Sequence, residues 1–501
     1  MKRIAIIGGG ISGLAAAYEL EKRRQAGTEI DWTLYESSDR LGGTIETTCR
    51  DGFILEGGPD GWITEKPWAR ELAIELGLEA DLIPSNDATR KTYILLDNQL
   101  EPMPARMRMM VPEDLATLEG STLFTDSART AYANELKRAD ELRNTTPTED
   151  ESIASFIRRH FGEEVLAKIA APLLSGVFGG NVENLSVRAV MPAFVTMERE
   201  HGSLIAALQA KVKSRGNKPS QPIFTTLRNG VGSLVETLVA TLPPERLHLN
   251  RSALSLQREG KTWCLRTSKG AAGKSKKHFN NIILATPADT TRALLEPLDP
   301  QASTLLPQRS SSAVLTTLAW SADTARTFTI PPGFGFLVPQ HSMPTADCHH
   351  SNDCHPERSE GPAFRREQHK PSTTPQLLAC TFVDQKFPHR APVGARVIRV
   401  FFGGNSTEFF ADKSDAEVAA TALTQLQKIL GPLPAPEPSL TTIRRWPRSL
   451  PQYEVGHLDR LAELDTRIAA LGNLTLLGNS YRGIGLPDLI HAARTAVRTL
   501  E

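Results

Sequence analysis

The chain has 501 residues, 40% of them apolar, with 57 basic and 57 acidic side chains and a formal net charge of +0. That length fits about three domains, and the charge balance, with no long basic tail, excludes nucleic acid as a partner written into the composition. Five scattered cysteines are too few for a disulfide scaffold; with no run of about 18 apolar residues to span a membrane, the expected compartment is the reducing cytoplasm.

Ile4 to Ile7 form a short apolar run suited to a buried parallel strand. Glycines follow in the spacing Gly8-x-Gly10-x-x-Gly13, and LAAAYELEKRR reads as a helix with Leu14, Ala17 and Tyr18 on one face. The order matters chemically. Gly8 permits a tight turn, Gly10 lets a pyrophosphate approach the backbone, and Gly13 lets helix and strand pack closely. The helix start, with Gly9, Ile11 and Ser12, offers free N–H groups and partial positive charge to phosphates. A second strand, WTLYE, ends in Glu36, placed to accept from a ribose 2′-OH and to repel a 2′-phosphate. Arg40, Gly42 and Gly43 come next. A signal peptide is the competing reading of Lys2, Arg3 and the alanines at 15 to 17. Consecutive glycines make a poor apolar helix, however, and Glu36 would then have no purpose.

After a long excursion through CRDGFILEGGPDGWI, the chain changes character between residues 95 and 214. IASFIRRHFGEEVLAKIAAPLL and SLIAALQAKV have helical spacing and predict a helical insertion. Within it, MPARMRMMVPEDL holds Met103, Met107, Met109 and Met110 interleaved with Arg106 and Arg108. Adaptable apolar side chains beside positive charge suit a membrane surface or the mouth of a substrate channel; core packing near a domain junction accounts for them equally.

PIFTTLRNGVGSLVETLVATL returns to strand, turn and helix; RLHLNRSALSLQREGKTWCLRT reads as two β segments and NNIILATPA as a buried strand. FGFLVP, LLACTFVD and VIRVFFGG predict a mixed substrate sheet. Residues 341 to 376 hold five of the twelve histidines and two of the five cysteines. Cys348, His349, Cys354 and His355 fit none of the common structural zinc spacings, so no metal is expected. Low apolar content and prolines predict a disordered, solvated insertion.

Near the C-terminus, Leu474 to Leu477 reads as a strand, and Gly483-Ile484-Gly485 leads into a helix with Pro487 in its first turn. Such a helix start suits the pyrimidine end of a flavin, where negative charge develops on reduction. The two chain ends therefore make sense as halves of one FAD site. The nucleotide domain is discontinuous on this reading: 1–75, 215–285 and 436–501, with substrate domain 76–94 plus 286–435 and helical domain 95–214.

GGGISGLAAAYEL, ESSDRLGG, EGGPDGWI, GVFGGN with LSVRAVMPAF, RWPRSLPQYEVGH and GNSYRGIGLPD together resemble the oxygen-dependent porphyrinogen oxidases of haem biosynthesis, the protoporphyrinogen and coproporphyrinogen III oxidase family. The resemblance implies an α/β fold with a Rossmann-like FAD domain of the para-hydroxybenzoate hydroxylase and monoamine oxidase type, a substrate domain and a helical, membrane-contacting domain. It implies non-covalent FAD held by Gly8, Gly9, Gly10, Ile11, Ser12, Gly13, Glu36, Arg40, Gly42, Gly43, Gly58, Pro59, Asp60, Gly61, Arg251, Ala253, Trp446, Ile484, Gly485 and Leu486. Arg90 stands where the family grips a substrate propionate, a task suited to a bidentate guanidinium. Phe334 and Leu337 would sandwich a pyrrole ring, and Phe401 takes a position where other members carry Met. No catalytic side chain is implied: flavin N5 accepts the hydride, and His457 is read as structural. O₂ as oxidant, H₂O₂ as product, a ferrochelatase-type pathway partner and a peripheral site on the inner face of the membrane complete the expectation.

Three rivals stand beside it. A flavin amine oxidase shares the end motifs, although the form that attaches FAD through a C-terminal cysteine is disfavoured because no cysteine follows Cys380. A carotenoid-type desaturase shares them too. A flavin-carrying haem-pathway partner without turnover is the non-enzymatic alternative.

Overall fold

The structure, a computed structural model, describes residues 1–215, 221–268, 273–339, 375–434 and 437–500. The histidine- and cysteine-rich segment expected to be a solvated insertion lies outside them, apart from its last two residues. A parallel sheet of five strands gathers distant parts of the chain, in the order Leu247–His248, Ile30–Tyr35, Lys2–Ile7, Asn281–Leu284 and Leu474–Leu476. The first strand is central, and Ile4 to Ile7 are at most 3% exposed. A strand covered on both faces needs such an unbroken apolar run. Helices Ile11–Gln25, Gly232–Ala240 and Leu486–Arg498 pack on one face through Leu14, Leu20, Leu234, Leu238 and Ile490. The other face carries Trp263, Leu265 and Phe279 from an antiparallel sheet of three strands, Ala253–Glu259, Thr262–Ser268 and Lys274–Phe279. Arg494 bridges Glu19 and Glu75, tying the last helix to the first.

A second sheet has seven strands, ordered Leu440–Pro451, Ser310–Trp320, Arg396–Gly403, Leu377–Phe382, Gly335–Leu337, Thr92–Leu96 and Gln99–Pro102. It is mixed, because Gly335–Leu337 pairs in parallel with Thr92–Leu96 and the rest pair antiparallel. Val314, Leu318, Phe336, Phe382, Ile398, Val400 and Phe402 fill one side beneath helix Asp415–Leu430. That helix is held at its start by a capping box between Ser414 and Glu417. Residues alternate across a strand, so Leu315, Leu337, Ala379, Arg399 and Phe401 take the opposite side. The sheet reaches further along the chain than the boundaries at 95 and 436 anticipate. Asp97 and Asn98, both at positive φ, make the two-residue hairpin that adds Gln99–Pro102.

The helical part follows from Asp126 and packs around Phe156, Ile157, Phe161, Ile169 and Leu174. Met110 is fully buried there, and Met103, Met107 and Met109 lie against the same core. Met110 is thus internal packing, while Met103, Met107 and Met109 stay half-buried at the edge of that core. Among the described residues no helix is long and apolar enough to cross a membrane.

Candidate functional site

The glycine loop after the first strand shapes a groove. Gly8 adopts φ +108°, and a Cβ on it would stand 2.3 Å from the Ala285 carbonyl oxygen. A Cβ on Gly13 would stand 1.9 Å from the Gly8 carbonyl oxygen. Those two glycines serve the protein's own packing. Gly10 differs: its Cβ would meet nothing nearer than Gly43 Cα at 4.0 Å. Gly42 donates its N–H to Gly9 O at 2.8 Å, which brings the second glycine pair across from the first. No side chain caps the helix that starts at Ile11. Its first N–H groups and their partial positive charge are left to an anion. The open glycine floor and the uncapped helix fit the pyrophosphate of FAD.

Glu36 follows the second strand directly and is half-buried. One carboxylate oxygen accepts from Gly9 N at 2.6 Å and the other from Ser38 N at 2.8 Å, which ties it to the groove wall. The hydroxyls of Ser38 and Ser37 also donate to it, at 2.9 and 3.2 Å, which fills about four acceptor sites, so a ribose hydroxyl would take the place of a serine donor. The Arg251 N–H donates to Glu36 O at 2.8 Å, and Ala253 opens the adjoining strand, so both lie at the same end of the groove as Glu36. Arg40 folds back instead. Its guanidinium donates to the carbonyls of Leu41, Gly43 and Ile45 and so braces the loop that carries Gly42 and Gly43.

The loop of Gly58, Pro59, Asp60 and Gly61 continues the groove. A Cβ on Gly58 would strike Thr44 O at 1.9 Å. Trp446 donates its indole N–H to Gly57 O at 2.6 Å. Asp60 turns its carboxylate away, to Lys386 Nζ at 3.0 Å. Burial works against its ionised form, but Lys386 and Arg399 outweigh that and hold it below the usual carboxylate range. Ile484, Gly485 and Leu486 form the start of the last helix, again without a side-chain cap.

Sequence reasoning missed how that start is held. His457 is buried and donates Nε2–H to Tyr481 O at 2.8 Å. It stacks on Tyr453 with centroids 4.1 Å apart, and Tyr453 donates its hydroxyl to Asn479 O at 2.6 Å. PQYEVGH is thus a clasp for GNSYRGIG. Burial lowers the His457 pKa to about 4, so the ring is neutral and its N–H is committed. The only advance signal was that both motifs lie close together in the chain.

On the open side of the second sheet, Ala379 pairs with Leu337 on one neighbouring strand and with Phe401 on the other. Leu337, Ala379 and Phe401 therefore form one row. Helix Ala171–Phe178 packs directly on two of the three: a Cβ on Gly176 would lie at contact distance, 3.6 Å from Leu337 and 3.8 Å from Ala379, and Leu337 lies against the helical core. Phe401 is only half-buried and joins none of the hydrophobic cores. Phe334 stands outside the row, just before its strand, with its N–H on Lys91 O at 2.7 Å. Arg90 adjoins that carbonyl and makes one loose ion pair, 3.8 Å to Asp87, with its side chain 39% exposed. A separate cavity of about 520 Å³ is lined by Arg309, Asn405, Glu408, Arg448 and Glu454 among others; there Arg448 pairs with Asp289 at 2.7 Å and Arg309 with Glu454 at 3.5 Å.

A sequence profile described as flavin containing amine oxidoreductase matches residues 11–500. The chain is 30% identical over 503 residues to a coproporphyrinogen III oxidase of Bacillus subtilis, covering 99% of this chain and 97% of that protein. It is 26% identical to protoporphyrinogen oxidase 1, chloroplastic, of Arabidopsis thaliana, across 97% of this chain and 86% of the relative. A crystal structure of a "Putative protoporphyrinogen oxidase" from Exiguobacterium sp. 255-15 superposes with a TM-score of 0.78 at 28% identity, over 99% of this chain and 98% of that one.

Proposed function

This chain belongs to the flavin-containing amine oxidoreductases, and we propose that it is a porphyrinogen oxidase of haem biosynthesis that takes coproporphyrinogen III. What carries the reading is full-length likeness to porphyrinogen oxidases joined to one geometric fact: an open glycine groove beneath an uncapped helix start, fit for FAD. The cofactor is FAD, bound non-covalently. When bound it accepts two electrons per round and is restored by O₂ with release of H₂O₂; three rounds take six electrons from the substrate.

The chain's own residues do the positioning. Phe401, half-buried and outside the hydrophobic cores, offers flat apolar area to a pyrrole face. Arg90, free of any tight partner, grips a propionate with two parallel hydrogen bonds. The preference for coproporphyrinogen III over protoporphyrinogen IX rests on the full-length likeness to coproporphyrinogen III oxidases. The uncapped start of helix Leu486–Arg498 sets its partial positive charge at the flavin end of the groove. His457 takes no proton, because its N–H already serves Tyr481. A ferrochelatase-type consumer of the porphyrin, and a cytoplasmic protein resting on the inner face of a membrane, extend the reading; the poor solubility of a porphyrin favours both.

Anaerobic flavin bleaching tests the proposal. Coproporphyrinogen III should bleach the enzyme faster than protoporphyrinogen IX, and a polyamine should leave it yellow. Arg90→Ala should raise KM for coproporphyrinogen III by about tenfold to a hundredfold, the loss of a charged hydrogen bond, with kcat nearly kept. Bleaching by the amine alone overturns the assignment, and a wild-type KM in the variant overturns the role of Arg90.

A further inference from the structure

A buried charge cluster lies where the Gly58–Gly61 loop meets the seven-stranded sheet. Glu56 is 4% exposed, Lys386 8%, Arg390 0% and Arg399 3%. Two pairs account for four of the five charges. Arg390 Nη1 lies 2.7 Å from Glu56 Oε1, and Lys386 Nζ lies 3.0 Å from Asp60. Arg399 is left over. Among the described residues no carboxylate lies within ion-pair distance of it. It donates Nη2 to the Gly58 carbonyl, and its Nε has no partner. Two carboxylates face three cations, so the cluster holds one uncompensated positive charge, and burial accordingly lowers the Arg399 pKa.

Such a charge is costly unless an anion shares the site. Position says which anion. Arg399 stands two residues before Phe401 and on the same side of the strand, with its guanidinium 5.0 Å from the Phe401 ring. Its hydrogen bond reaches the loop that continues the cofactor groove. The neighbouring Arg444 and Glu46 satisfy each other and offer no countercharge.

We infer that Arg399 is a positioning residue for electrons: its unpaired charge stabilises the anionic reduced form of the FAD. The inference rests on the FAD reading of the groove. A hydride brings two electrons and one proton, so the reduced ring keeps one negative charge, and this charge completes the cluster. Arg399 would then raise the flavin potential without touching the porphyrinogen.

Sulfite probes this without turnover. It adds to flavin N5; the new S–N bond uses the sulfite lone pair, and the ring takes up the negative charge. In the FAD-loaded protein, Arg399→Gln should weaken sulfite binding about tenfold, and the midpoint potential should fall by the equivalent of about 30 mV for a two-electron couple. Gln can still donate to Gly58, whereas Arg399→Lys keeps the charge and should hold wild-type affinity within about threefold. Asp60→Asn adds net positive charge and should tighten sulfite, while Lys386→Gln should weaken it. Those opposite signs decide the matter if Arg399→Gln loses its FAD. Unchanged sulfite affinity in yellow Arg399→Gln, or Asp60→Asn and Lys386→Gln moving together, overturns the inference. A wild-type protein that binds no FAD overturns the cofactor reading instead.

Discussion

Single glycines in this groove have different tasks, and a methyl group separates them. At Gly13 a Cβ would sit 1.9 Å from a backbone oxygen, so Gly13→Ala must move helix or strand. At Gly10 the same Cβ has room, with its nearest neighbour at 4.0 Å. Gly10→Ala should therefore fold with stability within about 1 kcal/mol of wild type, yet be purified without yellow colour because the methyl occupies the pyrophosphate's place. Gly13→Ala should lose both stability and flavin. Thermal melts paired with flavin absorbance check this, and a yellow Gly10→Ala would show that the phosphates lie elsewhere. These glycines were legible because their spacing is local and its purpose is steric. Glu56 and Arg390 were not: their pair spans 334 positions of sequence (56 to 390), and nothing at either end announces the other. Arg399 reads from sequence as an ordinary strand arginine, and only the count of charges around it shows that it lacks a partner.

At the scale of an element, the strand Arg396–Gly403 does two jobs by alternation. Ile398, Val400 and Phe402 enter the core, while Arg399 and Phe401 take the opposite side, toward the Gly58 loop. A shift of one residue would exchange these faces, so the antiparallel register against Leu377–Phe382 fixes the site. The central member of the row is small. Because the helix at Gly176 already covers Ala379, the half-buried Phe401 is the member to change, and Phe401→Ala removes its ring without touching that contact. We expect the variant to keep FAD and its visible spectrum while coproporphyrinogen-driven bleaching falls at least about a hundredfold, since a macrocycle displaced by about 1 Å already loses that much. Equal bleaching would mean that the macrocycle binds elsewhere. The apolar runs of these strands were legible, but their order in the sheet was not. The hairpin at Asp97–Asn98 was missed because neither residue is glycine, although both types tolerate positive φ. The methionine cluster illustrates the opposite problem: spacing cannot separate an inward stripe from an outward one, and here the helical core takes Met110 whole and the other three only in part.

The whole molecule is one chain folded back on itself, so its stability and its cofactor site share joints, and pH should reveal which joint fails first. His457 clasps the C-terminal motif as a neutral ring, with burial lowering its pKa to about 4 from an ordinary 6.5. The unfolded chain takes up a proton below pH 6.5 and the native clasp does not. The stability His457 contributes is thus full above 6.5 and is lost as the pH falls towards 4. His160 has the opposite sign. Burial opposes its charge, but Glu135 at 3.0 Å and Glu198 at 3.3 Å outweigh this and raise its pKa. Its contribution is full below 6.5 and disappears as the pH rises through the raised value. Acid should therefore attack the flavin clasp while leaving the helical part supported. Between pH 7 and 5 the His457 term amounts to about 2 kcal/mol. His457→Gln should be weaker than wild type at pH 7, through the lost stack on Tyr453, yet fall by about 2 kcal/mol less on going to pH 5. His160→Gln should leave the acid limb unchanged and flatten the alkaline one. Urea midpoints read alongside released FAD fluorescence check both. FAD should leave the wild type ahead of global unfolding as the pH drops below 6.5, because the clasp holds the helix start that we propose faces the flavin. If wild type and His457→Gln lose stability in parallel between pH 7 and 5, some group other than this clasp controls the acid response.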